Sequence, residues 1–195
     1  YAGAPARVTL EDAFGPVDFT LLPFVRPSTL TPFAGARPAD TDAAVGLALE
    51  ALPPDSARRN VLLAHQFVTA HGAMPQVCDS EIAPIGGAEQ VDADRFAGYD
   101  YVALGHLHRA QTLREGRLRY CGAPLVYSFD ECAQSKSATL VTLGAKDEPN
   151  AFETVPFQPP HACRRLEGTL EELCALPRSE DYIQAVLTDT VRPLD

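Results

Sequence analysis

The chain has 195 residues, of which 46% are hydrophobic, so it is long enough to bury a core and is not expected to be disordered. Its net charge of −10 is opposite in sign to that of most free-standing nucleic-acid binders, which meet phosphates with Lys and Arg. Charge alone therefore argues against a DNA-binding module, although a cation held by the protein can meet a phosphate in place of Lys or Arg.

The amino-terminal region predicts a hairpin followed by a loop. Stretches rich in β-forming residues, Arg7 to Leu10 and Val17 to Val25, flank a turn at Phe14-Gly15-Pro16. The loop is marked by three prolines: Pro27, Pro32 and Pro38.

A helix is predicted next, between a cap at Asp40 or Thr41 and a stop at Pro53-Pro54. Its apolar residues follow helical spacing: Ala44, Val45, Leu47, Ala48 and Leu52. One face of this helix is therefore expected to be buried.

Two apolar stretches in the middle of the chain predict strands of an α/β sheet. Asn60 to Val68 is a nearly continuous apolar run of the length of a strand buried on both faces, and His65 lies within it. After a polar loop and a short amphipathic stretch from Asp92 to Phe96, Tyr99 to Leu104 repeats the strand pattern and ends at Gly105.

The rest of the chain predicts an antiparallel addition to the sheet and then a second, small domain. Three strand-like pieces are separated by turns: Leu118 to Cys121, Ala138 to Leu143 and Phe152 to Phe157. A linker-like Gln158-Pro159-Pro160 precedes a strand, helix and strand at Arg164 to Glu167, Thr169 to Ala175 and Tyr182 to Thr188. We therefore expect domains at 1–157 and 158–195.

The cysteine content and the absence of long apolar runs predict a cytoplasmic protein. Five cysteines cannot all pair within one chain and form no CxxC motif, so reduced thiols are expected. No run of about 18 apolar residues predicts a membrane span, and the first ten residues lack a signal-peptide pattern. The first residue is Tyr, and we expect the chain to be a segment of a longer protein.

The most informative motif is Gly105-His106-Leu107-His108, directly after a predicted strand. In extended backbone, residues two apart point to the same side, so both imidazoles are expected to face one space. Sites of α/β proteins lie at the carboxyl ends of strands, where these histidines could each bind one ion of a metal pair. The alternative is that the motif is only a polar strand end.

His65 provides a third histidine at the end of a predicted strand. A buried imidazole has to satisfy both ring nitrogens, and a single such histidine is more often a satisfied core residue than a ligand. Three histidines at strand ends, His65, His106 and His108, favour a metal site over the core interpretation.

These segments resemble the calcineurin-like metallophosphoesterases and, more narrowly, the SbcD family of bacterial exonuclease subunits. The segments that carry the resemblance are LLAHQFV, CDSEIAPIGGAEQV, YDYVALGHLHRAQ, RYCGAPLVYSFDE and RRLEGTLEEL. The resemblance implies an α/β fold that is the rear part of a β-sandwich flanked by helices, followed by the start of a small α+β capping domain.

The resemblance also implies the metal ligands. His65 and His106 correspond to ligands of one manganese ion and His108 to a ligand of a second. The family's earlier motifs, an Asp-x-His, a bridging Asp and an Asn-His pair with the catalytic histidine, do not occur before His65 in this sequence. Because hydrolysis by two metals requires both ions, the chain is expected to be inactive alone and to contain no catalytic residue.

Substrate contacts are implied for four residues: Arg109, Gly122, Tyr127 and Ser128. Arg109 follows the histidines and could approach a phosphate, although a surface Arg is more often simply solvated. Gly122 would permit close backbone approach, and Ala123 stands where the family often has a serine hydroxyl. Cys121 has no neighbour that marks it as a nucleophile, and His71 and His161 are expected to be surface residues.

The functional hypothesis implied by the resemblance is a manganese-dependent DNA nuclease that works with an SbcC-like ATPase, as a homodimer, in DNA repair, recombination and replication. It implies exonuclease action on duplex ends and endonuclease action on single strands. One alternative is a phosphoesterase acting on nucleotides or phosphoproteins, which the acidic charge favours. Another is a non-catalytic scaffold that docks the ATPase.

Overall fold

A six-stranded mixed sheet is the centre of the fold in the computed structural model, which describes residues 4–70, 72–81, 89–114 and 116–191. The strands are β1 (Ala6–Asp12), β2 (Gly15–Leu22), β3 (Arg59–His65), β4 (Phe67–Thr69), β5 (Gln90–Asp92), β6 (Tyr101–Gly105), β7 (Gln111–Arg114), β8 (Leu118–Tyr120), β9 (Ser137–Thr142), β10 (Ala151–Pro156), β11 (Cys163–Gly168) and β12 (Tyr182–Leu187). The α-helices are α1 (Pro27–Ala34), α2 (Thr41–Glu50) and α3 (Leu170–Cys174). The predicted α/β class is confirmed.

The main sheet has the strand order β1-β2-β3-β6-β8-β7. Its four inner strands are parallel, and β1 and β7 pair antiparallel at the two edges. In the ladder between β3 and β6, His65 is the register partner of Gly105. Because the carboxyl ends of β3 and β6 meet at the same edge, the histidines that follow them are brought together there.

The amino-terminal hairpin is confirmed, but its turn lies one residue earlier than predicted. Strands β1 and β2 are joined by Ala13 and Phe14, and the Phe14 N–H donates to Asp12 Oδ1 at 2.8 Å. Gly15 and Pro16 already belong to β2, and Gly15 has φ +93°, which a side chain would disfavour.

The predicted loop through Pro27 and Pro32 is wrong, because this segment forms the helix α1. Pro27 occupies the amino-terminal end of the helix, where no intrahelical partner for an N–H is needed. The Thr29 hydroxyl closes the first turn by donating to the Arg26 carbonyl at 2.7 Å. Leu30 is buried in the main core, and that burial favours the helix despite Pro32 within it.

The predicted helix α2 is confirmed with its cap. The Asp40 carboxylate accepts from the Ala43 N–H at 2.8 Å. The predicted buried face includes Ala44, Val45 and Ala48, as observed, but Leu47 is exposed and Leu49 is buried in its place.

The two faces of the main sheet are covered differently. Helices α1 and α2 pack on one face and form the large core, to which β3 contributes Leu62 and Ala64. On the other face, Val17, Val61 and Tyr101 form a small core with Val141 of β9. Leu63 lies between Val61 and His65 on β3 and is 40% exposed, so the prediction that this strand is buried on both faces is only partly correct.

The strands after β6 differ in part from the predicted antiparallel addition. β8 joins the main sheet parallel to β6, and the unpredicted strand β7 pairs antiparallel with β8. β9 and β10 pair antiparallel, as predicted, but as a separate two-stranded sheet. The side chain of Val141 in β9 packs on the main sheet, so the hairpin of β9 and β10 covers one face of that sheet and does not add strands to it.

The carboxyl-terminal segment forms the predicted strand, helix and strand. β11 and β12 pair in parallel, and α3 lies between them in sequence, with a capping box at Thr169 and Glu172. No residue after Ser137 is buried among those that the structure describes. In the same described ranges, no helix is long and apolar enough to span a membrane.

Candidate metal centre

His65 and His106 form a pair at the carboxyl ends of β3 and β6. Their ring centroids lie 5.3 Å apart with an angle of 90° between the ring planes. His65 is the last residue of β3, and His106 directly follows β6. The parallel ladder therefore places two imidazoles from distant parts of the sequence side by side.

Gly105 makes the room for this pair. A Cβ built at residue 105 would lie 2.8 Å from Nδ1 of His65, closer than real side chains approach. The absence of a side chain at Gly105 thus lets the His65 ring lie against the backbone of the neighbouring strand.

Two phenylalanines form the apolar surroundings of the histidine pair. The Phe24 ring stacks on His106 with 6.1 Å between centroids and meets the edge of His65 at 6.0 Å. Phe67 approaches His106 at 6.0 Å from another side. Sequence reasoning did not identify Phe24, since an aromatic residue after a strand carries no signal for this role.

Burial favours the neutral form of both imidazoles of the pair. Desolvation lowers the pKa of His65 and is the largest cause of the lowered pKa of His106, to which nearby His65 adds. A neutral imidazole has a lone pair on one ring nitrogen, as metal binding requires.

His108 lies in a second, polar part of the site. Its Nδ1 is 3.2 Å from Oε1 of Glu131 and 3.0 Å from the Ser80 hydroxyl. Its ring centroid is 5.1 Å from that of Tyr127. Ionised Glu131 can only accept a hydrogen bond, and the role of Nδ1 as donor or acceptor depends on the tautomer of the His108 ring.

The backbone of His108 is held as firmly as its ring. Its N–H donates to the Glu81 carboxylate. Its carbonyl accepts from Nζ of Lys136 at 3.0 Å and from the Ala123 N–H at 3.0 Å. Gly122, with φ +81°, permits this contact, because a Cβ there would lie 2.9 Å from the His108 carbonyl oxygen.

Glu131 and Lys136 form a buried ion pair behind His108. The Nζ of Lys136 lies 2.5 Å from Oε2 of Glu131, whose side chain is fully buried. Burial raises the pKa of Glu131, but hydrogen bonds from Lys136, Ser80, His108 and Ser128 together outweigh burial and lower it to about 2. Neither residue was identified from the sequence, since spacing alone does not indicate which charged residues are buried.

The backbone argument for His106 and His108 is wrong. Strand β6 ends at Gly105, and His106 has φ +103°, so the two histidines are not joined by extended backbone. His106 contacts His65, whereas His108 contacts Glu131 and Tyr127. Among the described residues, no group of three or more His, Cys, Asp or Glu side chains is arranged to hold a metal ion.

The predicted substrate residues surround His108. A cavity of about 310 Å³ is lined by residues that include His108, Arg109, Gly122 and Lys136. Tyr127 is 58% exposed, and the Ser128 hydroxyl donates to Oε1 of Glu131 at 3.0 Å. Of the four predicted residues, Gly122 and the exposed Arg109 line this cavity, whereas Tyr127 and Ser128 are not among its lining residues.

His71 and His161 do not join the pair among the described residues, whereas Cys121 lines a cavity together with His65 and Gly105. His71 falls outside the described residues. His161 lies before β11 and contacts Tyr182 with 6.2 Å between ring centroids. Cys121 is exposed, and its thiol approaches the Gly122 carbonyl at 3.3 Å, which gives it no activating base.

Comparison with known proteins reveals related nuclease subunits. The SbcD subunit of nuclease SbcCD from Staphylococcus epidermidis is 31% identical over 177 residues, which cover 86% of this chain. The corresponding SbcD subunit from Rhodobacter capsulatus is 31% identical over 193 residues, or 88% of this chain. The chain is SbcD-like.

A shorter stretch is more similar to the SbcD subunit of Escherichia coli K12, at 42% identity over 93 residues that cover 47% of this chain. No protein-family model matches the chain. The chain spans less than half the length of these SbcD relatives: 23%, 46% and 45% of the E. coli, S. epidermidis and R. capsulatus proteins.

Proposed function

We propose that the chain is the part of an SbcD-like nuclease subunit that supplies the late histidine ligands of a metal-dependent, DNA-cleaving site. The observation that carries this proposal is the His65 and His106 pair, 5.3 Å between ring centroids, at the joined ends of two parallel strands. The sequence similarity to SbcD subunits of nuclease SbcCD over most of the chain supports it.

The donor atoms present fit part of a manganese site. Neutral imidazoles at His65 and His106, and Nε2 of His108, are suitable ligands in a mixed set with carboxylates. In the described ranges, no protein group hydrogen-bonds Nε2 of His108, which leaves it free for a metal. The described residues do not complete the set, so further ligands have to come from outside them.

In this proposal His65 and His106 hold one manganese ion and His108 holds another. The bound ions would supply the charge that activates water and neutralises the leaving oxygen. The residues of this chain bind and orient, and no catalytic acid or base is assigned to them. The chain by itself is therefore expected to be inactive.

The groove beside His108 is proposed to receive the DNA backbone. Exposed Arg109 can meet a phosphate, and Gly122 lets a strand approach the backbone closely. Tyr127 presents a largely exposed ring on which a base can stack. The net charge of −10 is then compensated locally by metal ions rather than by a basic surface.

The partner and the second domain are parts of the same proposal. The names of the relatives describe one subunit of an SbcCD nuclease, and we propose that this chain's parent works with an SbcC-like ATPase and forms a homodimer. The unit of β11, α3 and β12 is proposed to begin a capping domain after residue 157, in keeping with its lack of buried residues among those described.

The test is a nuclease assay of a full-length SbcD-like protein that contains this chain, with its ATPase partner. We expect manganese-dependent degradation of linear duplex DNA. Replacing His65, His106 or His108 by Ala should reduce the rate by more than about 100-fold, because each removes a direct metal ligand. His161→Ala, which removes an imidazole outside the site, is the matched control and should retain the activity.

The substrates separate the alternatives. Turnover of a small phosphate ester without turnover of DNA would replace the proposal by a phosphoesterase, which the acidic charge also favours. If the His108→Ala variant keeps its activity on both DNA and the small phosphate ester, His108 is not a metal ligand. If neither substrate is turned over while the ATPase still binds, the result would support the alternative that the protein is a non-catalytic scaffold.

A further inference from the structure

Glu131 is buried, charged and directed at His108. Its side chain has 0% exposure, and Oε1 lies 3.2 Å from Nδ1 of His108. Burying a carboxylate is costly unless its oxygens are fully hydrogen-bonded. Here Oε1 accepts from the hydroxyls of Ser80 at 2.8 Å and Ser128 at 3.0 Å, and Oε2 pairs with Lys136.

Lys136 contacts both the Glu131 carboxylate and the backbone of His108. Its Nζ lies 2.5 Å from Oε2 of Glu131 and 3.0 Å from the carbonyl oxygen of His108. The ammonium group therefore fixes the carboxylate relative to the backbone of the histidine that the carboxylate contacts. A shift of the Glu131 side chain or of the His108 backbone would break one of these bonds.

A purely structural role explains this arrangement poorly. Replacing a buried ion pair with apolar residues of similar size is often neutral or stabilising, so the pair is weak evidence for a contribution to stability. An apolar pair cannot accept a hydrogen bond from a ring nitrogen. An acceptor behind one nitrogen of a ligating histidine fixes the ring and directs the other nitrogen to the metal.

We propose that Glu131, held in place by Lys136, is a positioning residue that fixes His108 as the Nδ1–H tautomer and directs its Nε2 lone pair toward the groove. The role of Nε2 as a metal ligand rests on the proposed function. The tautomer and the ring orientation do not, because both follow from contacts within the chain.

The first test needs neither metal nor activity. In the chain with ¹⁵N-labelled histidine, long-range ¹H–¹⁵N correlation spectra report which ring nitrogen carries the proton. In the neutral ring of wild-type His108, Nδ1 is expected to be protonated and Nε2 unprotonated. The opposite tautomer in the wild-type chain would overturn the proposal without any variant.

Two double variants then separate positioning from packing. Glu131→Leu with Lys136→Met removes the acceptor without leaving an unpaired charge, and His108 should lose the fixed Nδ1–H tautomer. Glu131→Gln with Lys136→Met keeps a neutral acceptor and should retain it. Identical tautomers in the two variants would contradict the proposal. The pair Asp42→Leu with Arg95→Met, a distant ion pair, should leave His108 unchanged.

Metal binding connects the tautomer to the proposed function. In the full-length protein, the double variant Glu131→Leu with Lys136→Met should bind the second Mn²⁺ about 10 to 100-fold more weakly, as for other residues that hydrogen-bond metal ligands. A changed tautomer with unchanged Mn²⁺ affinity would confirm positioning and reject His108 as a ligand. An unchanged tautomer of His108 would contradict the proposed positioning role of Glu131, whatever the Mn²⁺ affinity of the variant.

Discussion

Gly105 lies opposite His65 in the parallel ladder of β3 and β6, and a Cβ at residue 105 would lie 2.8 Å from Nδ1 of the His65 ring. The clash is with a side chain rather than with backbone, so the ring can move aside. The relationship between these two residues therefore affects the geometry of the site more than the stability of the sheet.

We predict that Gly105→Ala displaces the His65 ring while changing the free energy of unfolding by no more than about 1 kcal/mol, because core overpacking is relieved by ring movement. The proposed manganese-dependent nuclease activity of the full-length protein should fall at least about tenfold, since small displacements of a proposed ligand are costly. Urea denaturation and the nuclease assay measure the two effects.

Gly98→Ala is the matched control, because its Cβ would meet Pro54 Cγ at the same 2.8 Å but away from the histidines. It should leave the nuclease activity unchanged. Equal activity losses in both alanine variants would indicate a general effect of overpacking and remove the specific role of Gly105.

Gly122→Ala is expected to destabilise the chain by at least about 2 kcal/mol. The residue has φ +81°, and its Cβ would lie 2.9 Å from the Ala110 nitrogen and the His108 carbonyl oxygen. Strain at positive φ and a backbone clash therefore add, and backbone atoms cannot move aside as a side chain can.

Gly15→Ala measures the strain alone. Its φ is +93°, but a Cβ there has nothing within 4 Å, so a loss of about 1 kcal/mol is expected. Denaturant unfolding of both variants gives the difference. A loss at Gly122 no greater than that at Gly15 would show that the contact with His108 contributes nothing.

Tyr120→Phe should cost about 1 to 3 kcal/mol of stability. The buried Tyr120 hydroxyl accepts from the Val68 N–H at 2.7 Å and donates to the Gln66 carbonyl at 2.8 Å. Its removal leaves buried backbone groups without a partner, which costs more than the bonds themselves contribute.

Tyr101→Phe is the comparison for this substitution. Tyr101 is 4% exposed, and its hydroxyl makes no hydrogen bond to any residue in the described part of the chain. Its loss should change the urea midpoint little. Similar losses for the two variants would mean that the Tyr120 bonds are not responsible.

Asp42→Asn should make the chain less sensitive to acid. Burial raises the pKa of Asp42, but hydrogen bonds from Arg95 and from the Asp92 N–H, with the charge of Arg95, bring it below its ordinary value of 3.8. A lowered pKa in the folded state stabilises the fold above about pH 3.8, and the contribution is lost as the pH falls through the folded-state value.

The difference in unfolding free energy between wild type and Asp42→Asn should be about 1 kcal/mol at pH 7, because the pair is partly exposed, and should shrink below pH 3.8. Urea titrations at several pH values measure it. A constant difference for Asp42→Asn down to pH 2 would contradict the assignment.

The sequence was sufficient for the elements whose cause is local. Apolar runs predicted β3 and β6, but the run Asn60 to Val68 also includes β4, a separate strand in another sheet, so it did not predict that β3 ends at His65. The cap at Asp40 predicted the start of α2, since a carboxylate before a helical pattern is a direct physical signal.

What could not be predicted depends on tertiary contacts. Helix α1 forms despite the internal Pro32 because Leu30 is buried in the core, a gain that local propensity does not include. The carboxylate behind His108 comes from a residue whose burial the sequence does not reveal, and the turn at His106 required φ +103°, which no spacing rule anticipates.

Under the proposed function, the ladder between β3 and β6 would also couple cation affinity to folding. His65 and His106 are distant in sequence and become neighbours only when the two strands pair. An unfolded polypeptide does not present the paired imidazoles, so a cation that they bind draws the equilibrium toward the native sheet. Removal of the cation by a chelator would then lower the stability of the pairing between β3 and β6 as well as vacate the site at the ends of these strands.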